Sequence, residues 1–169
     1  MAHDAARDEG SLTIELDCFL PYPTDAVWSA LTQAPALSDW LMPTDFVATV
    51  GESFSFRAET GSGQPAAVTG RVLALDPVRR LSYSWRAGEV ESVVTWLLIP
   101  SSFGTHLCLW QRGLDECPPD SLAAFERVWC EKLPVALARH LDRSSHADRP
   151  DRVRPRAAPA AQHARAAHH

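Results

Sequence analysis

The chain has 169 residues, a formal net charge of −5, 46% hydrophobic and 22% charged residues, which is one domain's worth of sequence with enough apolar content to form its own core. No apolar run approaches the ~20 residues of a membrane span, and residues 11–142 carry nine basic against sixteen acidic side chains, so neither membrane nor nucleic-acid binding is expected. Cys18, Cys108, Cys117 and Cys130 show no CxxC spacing and no apolar leader precedes the body, so a cytoplasmic protein with free thiols, no metal and no cofactor is expected.

Residues 1–10 are polar and acidic and are expected to be disordered. The LTIELDCFL run alternates Leu12, Ile14, Leu16, Cys18 and Leu20 against Glu15 and Asp17, which predicts a half-buried strand. PYPTDAVWSALTQ predicts a short helix capped by Thr24 or Asp25, and Pro35 opens a second one through Trp40. Strand-like pieces follow, FVATV, SFSFRAE, AAVTGRVLAL, RRLSYSWRA, ESVVTWLLI and GTHLCLWQR, separated by Gly, Pro and Asp turn signals. PPDSLAAFERVWCEKLPVALARHL then predicts one long helix capped by Asp120 or Ser121, with Leu122, Phe125, Trp129, Leu133, Leu137 and Leu141 at helical spacing and a kink at Pro134. Residues 143–169 hold six Arg and two Asp among Ala, Pro and His, and are expected to be a disordered tail.

One strand, two short helices, a run of strands and a long terminal helix make an α+β arrangement. This order resembles the helix-grip fold of the START-like, or SRPBCC, superfamily, with a curved antiparallel sheet of about seven strands around the last helix. Three stretches narrow the resemblance: PYPTDAVWSALTQAPALSDWLMP, GRVLALDPVRRLSYSW with its Asp-Pro hairpin, and VVTWLLIPSSFGTHLCLWQRGL with Gly-Thr opening the final strand. Together they are similar to the family named after the activator of the heat-shock protein 90 ATPase, over about residues 11–142. The last helix departs from that family in lacking Gly before its aromatic residue and in carrying Pro134. The resemblance implies a cavity between sheet and helix that holds an apolar ligand. Members of the superfamily include small-molecule binders, polyketide cyclases and aromatases, and co-chaperones.

Strand alternation assigns the side chains to faces. Phe54, Phe56, Tyr83, Trp85, Trp96 and Gln111 are expected to face the helix, Phe125 and Trp129 to descend from it, and Trp40 to border the opening. That set is mostly apolar with a few placed polar groups, as in small-ligand pockets; the same residues would equally fill a core. Leu97, Ile99 and Trp110 are expected on the outer face, where an apolar patch marks a dimer or protein-partner surface. No GxSxG or phosphate loop occurs, and neither His106 nor His140 has a carboxylate partner within its own element, so no catalytic group is assigned. The expected function is binding of a small apolar or aromatic molecule. The alternatives are a co-chaperone-like or dimerising module and a cyclase-like enzyme using Tyr83 and Gln111.

Overall fold

In a computed structural model, which describes residues 12–59 and 65–147, the strands form one antiparallel sheet. They are β1 (Thr13–Leu20), β2 (Ser53–Glu59), β3 (Pro65–Asp76), β4 (Arg80–Ala87), β5 (Val90–Ser101) and β6 (Gly104–Arg112). Helices α1 (Thr24–Thr32) and α2 (Ala34–Trp40) follow β1. The chain then closes with α3 (Pro119–Glu131), a π-helical segment (Lys132–Leu137) and α4 (Ala138–Ala147). Strand order is β1-β6-β5-β4-β3-β2: five consecutive hairpin strands, with β1 returning to pair with β6. This is the expected α+β helix-grip arrangement.

Among the described residues the sheet has six strands, one fewer than expected, because FVATV is not a strand. Thr44 makes an isolated bridge to Phe56, and the backbone then turns through Thr49 N–H to Val47 carbonyl and Glu52 N–H to Thr49 carbonyl bonds. Only Phe46 of that run is fully buried, its ring 4.9 Å from Phe54 and 5.7 Å from Tyr83. One anchored aromatic, rather than a ladder, holds the segment.

Two local devices fix the sheet's edges. Thr105, at the start of β6, is fully buried and donates its hydroxyl to the Tyr22 carbonyl at 2.9 Å. A Cβ on the preceding Gly104 would stand 2.3 Å from the Leu20 carbonyl oxygen, so the Gly-Thr pair lets β6 close against the β1–α1 corner. Thr24 does not cap α1: its hydroxyl lies 3.2 Å from that of Thr105, and Pro23 precedes the helix without a side-chain cap bond. Likewise neither Asp120 nor Ser121 caps α3, which starts after Pro118, although Asp120 lies in its first turn, where the helix dipole favours an acid.

Pro134 reshapes the terminal helix more than a kink. Proline has no N–H to give the carbonyl four residues back. The chain absorbs the missing bond by widening Lys132–Leu137 into π geometry, and keeps Leu133, Leu137 and Leu141 on the core side. The helix also outruns the expected boundary at Arg143, continuing to Ala147. This end of the helix is tied to the body, since Arg143 and His140 both bond the Asp39 carboxylate on α2, at 2.5 and 2.6 Å. Residues 1–11, 60–64 and 148–169, which include the N-terminal ten and most of the Arg-rich tail, lie outside the described residues.

Candidate functional site

The inner face of the sheet meets the terminal helix through a cluster of aromatic rings. In β4, Leu81, Tyr83 and Trp85 are buried; in β5, Val94, Trp96 and Leu98; in β6, Leu107, Leu109 and Gln111. The alternation expected from the sequence is therefore the one the fold adopts. Trp129 is the only buried side chain of α3, and its ring centroid stands 5.1 Å from Trp85 and 5.6 Å from Trp96. Trp40 packs edge-on against Trp96 at 6.3 Å, and Phe56 lies 5.5 Å from Trp85. Phe54 contacts Tyr83 at 5.1 Å. Phe125, one turn before Trp129, is only half-buried. Phe46 completes the cluster; it is absent from the expected site residues because its run predicts a strand, whereas the fold sets it in a loop as a single buried anchor.

The polar groups inside this cluster form a chain. Trp129 Nε1 donates to Gln111 Oε1 at 2.7 Å, Gln111 Nε2 donates to Ser92 Oγ at 2.9 Å, and Ser92 Oγ donates to the Trp85 carbonyl at 3.2 Å. Gln111 is fully buried, so its amide uses both ends within the protein. Separately, Trp96 Nε1 donates to the Tyr83 hydroxyl at 2.9 Å, and Trp40 Nε1 to the Ala30 carbonyl at 2.8 Å. Burial pushes the Tyr83 hydroxyl well above its ordinary value, the Trp96 bond only partly offsetting it, so Tyr83 remains a neutral phenol. One group breaks the pattern. Trp85 Nε1 is buried and has no hydrogen-bond partner among the described residues. An unsatisfied buried donor costs about 1–3 kcal/mol.

Of the nine expected ligand-binding residues, Phe54 borders one of the most prominent surface cavities lined by the described residues, and the other eight border none of these cavities. The cavity at Phe54, about 880 Å³, opens on the outer face of the sheet beside Arg71, Arg86 and Arg112. Beneath the helix the aromatic rings pack against one another.

His106 and His140 both approach carboxylates of other elements. His140 Nδ1 lies 2.6 Å from Asp39 Oδ2, and His106 Nε2 lies 3.6 Å from Asp17 Oδ2. Both partners sit on other elements, which inspection within one element cannot reveal. The His140 and Arg143 hydrogen bonds, in that order, hold the Asp39 carboxyl below the usual range. Of the expected interface residues, Ile99 is exposed while Leu97 and Trp110 are half-buried, and the Trp110 indole donates to Glu15 Oε2 at 2.6 Å.

The sequence model of the family described as "Activator of Hsp90 ATPase homolog 1-like protein" matches residues 21–142, most of the chain, from α1 through β2–β6 and into α4 but without β1. The chain belongs to this family. Among solved structures, a Mesorhizobium loti protein is 31% identical, with a TM-score of 0.67 over 78% of this chain and 98% of its own. A Chromobacterium violaceum protein is 28% identical, with a TM-score of 0.66 over 76% of this chain and 96% of its own. DynU16, from the dynemicin biosynthetic locus, shares the fold at 24% identity and a TM-score of 0.65, over 77% of this chain and 47% of its own. No curated protein matches the chain. Among the described residues no helix is long and apolar enough to cross a membrane.

Proposed function

We propose that the domain binds a small, largely aromatic molecule carrying a hydrogen-bond acceptor, between the inner face of the sheet and α3. The observation that carries this reading is the unpartnered Trp85 indole N–H, buried between Phe56 and Trp129 where neighbouring polar side chains are paired. A carbonyl or phenol oxygen placed there would satisfy it, and the surrounding rings supply apolar contact. Since those rings now fill the space, a ligand enters by displacing α3. The helix is suited to that: Trp129 is its single buried anchor, and the π-helical segment behind it is a natural hinge. The family's fold fits ligand binding, and DynU16, a structural neighbour of the same fold, is a protein of the dynemicin biosynthetic locus.

Titration with planar aromatic ketones and with hydrocarbon analogues of equal size, followed by tryptophan fluorescence, tests the proposal. Saturable quenching is expected, stronger for the ketones, with the preference lost in Trp85→Phe. Absence of a saturable response to either series would overturn it.

A second reading rests on the outer face, where Phe19 and Ile99 are 47% and 45% exposed beside half-buried Leu97 and Trp110. There the domain would serve as a dimerising or co-chaperone-like module. Sedimentation decides the dimer: self-association lost in Ile99→Asp supports it, and a monomeric wild type removes it.

A further inference from the structure

The outer face also gathers three side chains of a different chemistry. His106 and Cys108 are two residues apart on β6 and therefore project from the same side of the sheet. Asp17 on β1 sits directly opposite Cys108 in the register. One ligating atom from each, an imidazole nitrogen, the thiol sulfur and a carboxylate oxygen, lies within 4.8 Å of the other two. The His106–Asp17 approach of 3.6 Å is too long for a hydrogen bond. It is, however, close to the separation of two ligands on one tetrahedral zinc ion, about 3.4 Å for bonds of about 2.1 Å. Small rotamer changes would bring all three onto one centre.

We propose that Asp17, His106 and Cys108 form a binding site for a Zn²⁺-class divalent cation on the outer face of the sheet. The donor set selects the metal. Thiolate and imidazole suit zinc and its softer neighbours, whereas Mg²⁺ and Ca²⁺ call for oxygen donors throughout. The scaffold is rigid where it matters, since β6 is hydrogen-bonded on one side to β1 and on the other to β5. Binding exchanges the Cys108 thiol proton, released to solvent, for a metal–sulfur bond, with no change of oxidation state. Three protein ligands leave one position open. It would face the cavity of about 310 Å³ lined by Glu15, Leu16, Asp17, Cys108 and Trp110, where water can complete the tetrahedron. Sequence inspection misses this site because H-x-C is not a recognised zinc spacing; it becomes one corner pair only when β1 supplies Asp17.

The test uses the full chain and Zn²⁺ alone, measured by competition with a chromophoric chelator, together with Co²⁺ as a spectroscopic probe. One equivalent of Zn²⁺ is expected to bind, at least tenfold more weakly in Cys108→Ser and in His106→Ala, with a smaller loss in Asp17→Asn. Co²⁺ should give a near-ultraviolet thiolate charge-transfer band that Cys108→Ser abolishes. The tail histidines lack a thiol, so that band separates this site from any ion held there. Circular dichroism of the metal-free variants checks that all of them fold. Zn²⁺ affinity unchanged in both Cys108→Ser and His106→Ala, or a thiolate band that survives Cys108→Ser, would overturn the proposal, as would the absence of stoichiometric binding.

Discussion

Gln111 shows what a single residue does in this interior. Its amide accepts from Trp129 and donates to Ser92, so it joins the helix to two strands while remaining fully buried. Gln111→Leu keeps much of the volume but strands the Trp129 N–H and leaves Ser92 without its donor. Stranding buried groups costs about 1–3 kcal/mol each, so a loss of about 2–4 kcal/mol is expected. Urea unfolding measures it, and a loss below about 1 kcal/mol would mean that water replaces the amide. The same bonds bear on catalysis. Tyr83 and Gln111, the inward groups available to a cyclase-like reaction, are engaged with Trp96, Trp129 and Ser92.

At the scale of elements, the terminal helix is tied down at one end and loosely seated at the other. Its C-terminal part holds α2 through Asp39, whose carboxylate receives hydrogen bonds from His140 and Arg143 and is thereby kept below its ordinary value. A carboxyl with a lowered folded value stabilises fully above its unfolded value, about pH 4. That contribution is lost as pH falls through the folded value. The urea midpoint of the wild type should therefore drop on acidification below about pH 4 more steeply than that of Asp39→Asn; parallel curves would show that the tie contributes nothing. This end of the molecule was hidden in the sequence, because Asp39 and His140 are 101 positions apart and neither periodicity nor capping connects them. The strands were far more legible. Period-two alternation in RRLSYSWR and VVTWLLI assigned the inner faces correctly, because burying one face penalises a one-residue slip along the whole strand. FVATV misled for the complementary reason: β-branched residues suit a strand, but a lone buried Phe46 with turn bonds around Thr49 places them in a loop. Pro134 announced a break in the helix, yet whether it would kink or widen depended on the leucines behind it finding the core.

Taken whole, the molecule uses the two faces of one sheet for different chemistry: aromatic rings toward the helix, and Asp17, His106, Cys108 and an Arg-bordered groove away from it. β6 carries residues for both, with Leu107, Leu109 and Gln111 directed inward and His106 and Cys108 outward. Side chains on opposite faces of a strand do not touch, so coupling between the faces must pass through a shift of the strand itself. β6 resists such a shift because neighbouring strands ladder both of its edges. The two proposed sites should therefore be energetically separable. In a double-mutant cycle of Cys108→Ser and Trp129→Phe, each change should alter unfolding free energy independently, with a coupling term within about 0.5 kcal/mol. Trp129→Phe loses the Gln111 bond and part of a ring, and should dominate; Cys108→Ser should change metal-free stability by less than about 0.5 kcal/mol, as surface substitutions commonly do. A coupling above about 1 kcal/mol would instead make β6 a lever, through which a ligand held by Trp129 and an ion held by Cys108 could sense each other across the sheet.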